Sequence, residues 1–126
     1  MKKLFLLAAA AALFATPAFA DLAGELSTAQ THAGMSATQA DIAMAHKHLQ
    51  HAVNCLVGPN GAGFDAAAGN PCKDAGAGAI NDTTNAAQKA KLTSIASSAK
   101  AGVGNADLAA SQAAAKATAD AIAAAK

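Results

Sequence analysis

The sequence predicts an all-α fold: a small bundle of three to four helices with a Gly-rich loop pinned by a disulfide and alanine-rich helices toward the C-terminus. Three observations predict it. Apolar residues recur at spacings of three and four along most of the chain, the period of a helix with one buried face. Six of the ten glycines and two of the three prolines fall within residues 58–81. The cysteines, Cys55 and Cys72, bracket much of that stretch.

The chain opens MKKLFLLAAAAALFATPAFA, with Lys2 and Lys3 ahead of an apolar run from Leu4 to Phe14 and a small-x-small pattern at Ala18-Phe19-Ala20. Residues 1–20 therefore read as a secretory signal peptide of bacterial type, cut before Asp21. Residues 21–126 are expected to form a single small helical domain, exported to the periplasm or secreted. The apolar run is shorter than the roughly 20 residues needed to span a bilayer, and no later stretch reaches that length without polar interruption, so no membrane span is expected.

The first mature segment carries Leu22, Leu26, Ala29 and Ala33, an i, i+4, i+7, i+11 stripe. Gly34 reads as its stop. Ser36 and Gln39 have capping-box spacing, which predicts a second helix over residues 37–57 that ends at Gly58-Pro59. Residues 58–81 read as loop, too long for a compact domain unless pinned or functional. A Cys55–Cys72 disulfide would pin most of it, and in an exported protein an even cysteine count is read first as a disulfide. Closing such a loop is worth roughly 3 kcal/mol, a large share of a small domain's stability.

Asp82, Thr83, Thr84 and Asn85 offer N-caps for a third helix with Leu92, Ile95, Ala99 and Val103 on one stripe. Gly102 and Gly104 break it, Asn105 can cap again, and Leu108, Ala115, Ala119 and Ile122 mark a fourth helix. In these last two helices alanine surrounds almost the whole circumference. Helix is favoured, but the apolar stripe specifies packing only loosely, which allows either a tight bundle or a C-terminal arm that orders against a partner or a second copy of the chain.

Composition excludes some functions. Removing Lys2 and Lys3 with the leader leaves seven of the nine lysines against eight acids, so the mature chain carries a formal charge of −1. It has no Arg, Trp or Tyr, and Phe64 is the only aromatic residue after the leader. Nucleic-acid binding, which needs a basic face and usually stacking planes, is not expected. Catalysis is not expected either, because no nucleophile elbow or H-E-x-x-H pattern occurs.

One stretch carries chemistry. "MAHKHLQHAVNC", Met44 to Cys55, packs His46, His48, His51, a methionine and a cysteine into one helical segment. On a helical wheel Ile42, Leu49, Val53 and Leu56 form the core face. Met44, His48, His51 and Cys55 share a separate stripe, and His46 points elsewhere, toward the edge of the core face. His48 and His51, at i and i+3, can converge on one ion, with the Met44 thioether one turn away. The candidate metal ligands are therefore His48, His51, Met44 and His46, for a transition-metal ion with copper first and nickel or zinc behind it. His32 reads as a surface residue that joins only if the first helix folds back on the second. A b-type haem ranks below a bare ion, because one aromatic residue is little for a porphyrin pocket. The competing reading is a structural or protein-interaction module whose histidines are only the solvated side of a helix.

Overall fold

The computed structural model describes residues 20–126; apart from Ala20, the leader pattern lies outside them. The described chain is helical: α1 (Leu22–Ala37), α2 (Ile42–Val57), a 3-10 turn (Ala66–Ala68), the short α3 (Ala79–Asp82), α4 (Ala86–Val103) and α5 (Leu108–Ala125). The four long helices form the bundle. α2 lies at its centre, packed on α1, α4, α5, α3 and the 3-10 turn. The alanine-rich α4 and α5 belong to the bundle, α5 lying on α1 and α4 as well as α2. Among the described residues no helix is long and apolar enough to cross a membrane.

Each long helix starts on an Asp or Asn whose side chain accepts the backbone N–H three residues on. Asp21 caps Gly24, Asp41 caps Met44, Asn85 caps Gln88 and Asp107 caps Ala110. Several boundaries differ from those the sequence suggests, and the 3-10 turn and most of α3 fall within the 58–81 stretch read as loop. α1 runs through Gly34 to Ala37, because Ala33 and Ser36 on either side are buried, and that packing outweighs the roughly 1 kcal/mol helix penalty of an interior glycine. Ser36 therefore caps nothing. It lies in the last turn of α1, fully buried, and its hydroxyl donates to the Ala45 carbonyl at 2.7 Å, so α2 begins at Ile42 under the Asp41 cap.

The core is built from few large side chains and many alanines. Leu26, Leu49, Val53, Leu56, Leu92 and Ile122 are buried with Ala29, Ala33, Ala52, Ala96, Ala99 and Ala115. Small side chains let the helices approach closely. The closest approach passes Gly102, which lies inside α4 instead of breaking it: a Cβ there would sit 2.6 Å from the Ala114 Cβ and 2.9 Å from Leu49 Cδ2. α4 ends instead at Gly104, and Asp107, not Asn105, caps α5.

The long loop is fastened at several points. The Cys55–Cys72 disulfide forms, with Cα atoms 5.2 Å apart, and its placement suits an oxidising compartment. At the loop's far end Glu25 of α1, fully buried, accepts the Gly78 N–H at 2.9 Å through Oε1, while its Oε2 has no partner. Burial pushes the Glu25 carboxyl up from 4.5 to about 7, with the Asp82 carboxylate adding to the rise and the Gly78 amide opposing it.

Two stability measurements check this packing. Gly102→Ala should destabilise by about 1–3 kcal/mol in chemical denaturation although alanine is the better helix former, because the added methyl overpacks the α4–α5–α2 junction. No loss would mean that the junction relaxes freely. For Glu25 the folded pKa lies above the unfolded one, so the folded state holds a proton that the unfolded chain has released, and stability falls as pH rises from 4.5 toward 7. Glu25→Gln should remove that slope, gaining roughly 3 kcal/mol over the parent at pH 8 and little at pH 4.5. An equal effect at both pH values would contradict the buried carboxyl.

Candidate metal centre

α2 turns its histidine-bearing stripe toward two neighbours, α1 and the loop. On the loop side Gln50, His51, Asn54 and Cys55 lie in consecutive turns and hold the loop backbone. Asn54 is fully buried; its Nδ2 donates to the Asp65 and Gly69 carbonyls at 2.8 Å each, and its Oδ1 accepts the Asp65 N–H at 3.0 Å. Gln50 Nε2 donates to the Gly63 carbonyl and to Asn54 Oδ1, both at 2.9 Å, and Gln50 Oε1 accepts from the Lys100 ammonium. Asp65 caps the 3-10 turn through the Ala67 N–H. This fastening sets the Ala68 carbonyl beside His51, whose Nε2 donates to it at 2.6 Å.

That bond fixes the His51 tautomer. A carbonyl can only accept, so the Nε2 carries a proton and, in the neutral ring, Nδ1 keeps its lone pair. The Nδ1 lone pair faces α1, where His32 Nδ1 lies 3.4 Å away. His32 Nδ1 is also 3.3 Å from His48 Nδ1. His32 stacks on His48 with ring centroids 5.5 Å apart and meets His51 edge-on at 4.8 Å. One ligand nitrogen from each of His32, His48 and His51 lies within 4.8 Å of the other two. All three rings are half-buried.

The group could hold a metal ion. A tetrahedral ion bound at about 2.0–2.1 Å needs its ligand nitrogens about 3.3–3.4 Å apart; the two separations from His32 match, and the third pair, His48 with His51, lies within 4.8 Å, so closing on an ion asks at most a small ring rotation. With His51 Nδ1 unprotonated, one proton on His32 can bridge only one of its two close neighbours well. A metal ion would satisfy every lone pair at once. The Ala68 carbonyl stands as the outer partner that a ligating histidine normally has on its other ring nitrogen. Burial, reinforced by the charge of the neighbouring histidines, holds His32 below its ordinary pKa of 6.5; burial, His51 and Lys47 do the same to His48. Neutral rings are the metal-binding form.

The structure brings His48 and His51 together, as the i, i+3 spacing suggests, and adds His32. The first helix does fold back. The signal for it was the brief connection, residues 38–41, which makes consecutive helices antiparallel neighbours and sets positions near the end of one against positions near the start of the next. His46 does not join the group: its Nε2 bonds the Asn105 carbonyl at 2.8 Å and the Ser111 hydroxyl at 3.1 Å, tying α2 to the α4–α5 junction. Met44 is 40% exposed one turn before His48. Cys55 is committed to the disulfide and offers no thiolate. A cleft of about 520 Å³, lined by residues that include Val57, Ile80, Asn81, Ala96 and Lys100, has no histidine or methionine in its wall to serve as a haem axial ligand. No family model, curated protein or solved structure matches this chain.

The histidine shifts have a definite sign. Because the folded pKa values of His32 and His48 are lowered, the unfolded chain binds more protons in acid, and the folded chain loses stability as pH falls below about 6.5. Denaturation of the metal-free protein at pH 7.5 and pH 5 should show this loss, and a His32→Gln, His48→Gln double variant should show less of it. An unchanged slope in the variant would mean that these rings do not carry the effect.

Proposed function

We propose that this chain is an exported binding protein, not an enzyme, that holds one transition-metal ion through His32, His48 and His51 for buffering, delivery or resistance. The observation that carries the reading is the convergence of the Nδ1 atoms at 3.3 and 3.4 Å, with the His51 tautomer set by the Ala68 carbonyl. Copper ranks first and nickel or zinc behind it, because imidazole suits all of them and copper tops the affinity order for nitrogen sites. Three protein ligands leave a fourth position open for water or for a donor from a partner, an arrangement that favours exchange over permanent storage. The leader pattern and the disulfide both support an oxidising compartment such as a bacterial periplasm.

Calorimetry on the chain beginning at Asp21 tests the site. His32→Ala, His48→Ala and His51→Ala should each weaken Cu(II) and Zn(II) binding by about 10–100-fold, and His46→Ala should leave binding unchanged. A His48→Ala, His51→Ala double variant that binds like the parent would remove the proposed site. Proton count gives a second readout. As pH falls through the lowered pKa values of His32 and His48 the ion must displace protons from the rings, so binding should weaken and release more protons at pH 5 than at pH 7. A count near zero at both, with binding intact, would rule out histidine ligation.

A further inference from the structure

We propose that Met35 and Met44 form a paired thioether port, specific for a soft monovalent ion of the Cu(I) class, that feeds the three-histidine site. The proposal rests on the reading of that site as a metal centre and names the ion it is built to receive. Met35 and Met44 are the only methionines after Met1. They are also the only large apolar side chains exposed among the described residues, at 38% and 40%. A single exposed methionine needs no explanation. Two of them at matched positions beside one ligand cluster do.

The match follows from helix spacing and register. Met35 lies at i+3 from His32 on α1, and Met44 at i−4 from His48 on α2, so each shares a face with a histidine of the site and sits one turn from it. The helices are antiparallel, and two contacts set their level. His32 stacks on His48, and one turn closer to the connection the Ser36 hydroxyl meets the Ala45 carbonyl at 2.7 Å. A step from the histidine pair toward that connection reaches Met35 on one helix and Met44 on the other, each one residue before the buried Ser36 and Ala45. Both rotate from the helix interface toward the histidine face. Spacing and register thus place Met35 and Met44 at the same end of the site on opposite helices.

Thioether sulfur is neutral, soft and polarizable, and it selects Cu(I) over hard or borderline divalent ions. Unlike imidazole, it does not titrate in the physiological range. A sulfur pair at the rim with nitrogens inside therefore orders the ligands by softness: the exposed thioethers capture the monovalent ion from solvent or a donor, and the half-buried rings hold it. Zinc gains nothing from the pair. The divalent and monovalent affinities are thereby separable by mutation.

The test is a Met35→Leu, Met44→Leu double variant, which keeps apolar bulk and removes both sulfurs, titrated anaerobically with Cu(I) against a competing chelator and in parallel with Zn(II). Cu(I) affinity or uptake rate should fall by about tenfold or more, while Zn(II) affinity stays at the parent value. In the parent labelled at the methionine methyls, Ag(I), a redox-inert stand-in for Cu(I), should shift both resonances. Cu(I) behaviour identical to the parent, or methyls that do not respond to Ag(I), would overturn the port while leaving the histidine site intact. Failure of the parent to bind either Zn(II) or Cu(I) would instead overturn the histidine reading and the port with it. A metal-independent dimer of the parent that dissociates in the double variant, with Cu(I) binding unaffected, would make the pair a contact between chains and not a port.

Discussion

Asn54 is fully buried, and three backbone groups of a loop close on its amide. A loop of this length in a chain this small carries many peptide N–H and C=O groups, and those that leave water must find partners. α2 supplies them from a single flank. Gln50 takes the Gly63 carbonyl, Asn54 takes Asp65 and Gly69, His51 takes Ala68, and Cys55 closes the covalent link to Cys72. Remove Asn54 and two carbonyls and an amide are orphaned together. The position of the 3-10 turn, and with it the carbonyl that orients His51, depends on that one side chain more than on any apolar contact.

Alanine makes the other half of the arrangement. A core of leucines would hold α1 and α2 farther apart; Ala29, Ala33, Ala45 and Ala52 let the two helices approach, and Ser36 uses the approach to bond Ala45 across the interface. Close approach is what lets imidazoles from two helices touch. The cost is a core with little area per residue, so fastening by the disulfide and by polar side chains carries a larger share of stability than in a leucine-rich bundle. Glu25 fits the same pattern, a polar group taken into the interior to hold the far end of the loop, with one oxygen left unpartnered.

The chemistry of the site follows from these constraints. Burial keeps His32 and His48 readily deprotonated, and the Ala68 carbonyl aims the remaining lone pair of His51 inward. The backbone thus selects the neutral tautomer of His51 that a metal requires. His46, only two residues from His48, faces a different partner and stitches α2 to the α4–α5 junction, so adjacency in sequence conveys little about which histidines act together.

What the sequence determines by itself is local. Helical period places Leu26, Leu49, Leu92 and Ile122 on buried faces, Gly58 ends α2 with a positive φ of 71°, and the two cysteines that bracket the Gly-rich stretch pair as a disulfide. His48 and His51 belong together because both lie on one helix three residues apart, a relation set by the 3.6-residue turn. Tertiary structure decides the rest. Gly34 and Gly102 stay inside their helices, because packing outweighs their weak propensity: Gly34 lies between buried Ala33 and Ser36, and Gly102 is itself buried under Ala114 and Leu49. His32 becomes a full member of the site, and Asn54 the anchor of the loop, for one reason: each acts on a partner outside its own helix. A helical wheel records only the direction in which a side chain leaves its axis; what it meets there is set by the register of α1 against α2 and by where the loop finds its hydrogen bonds.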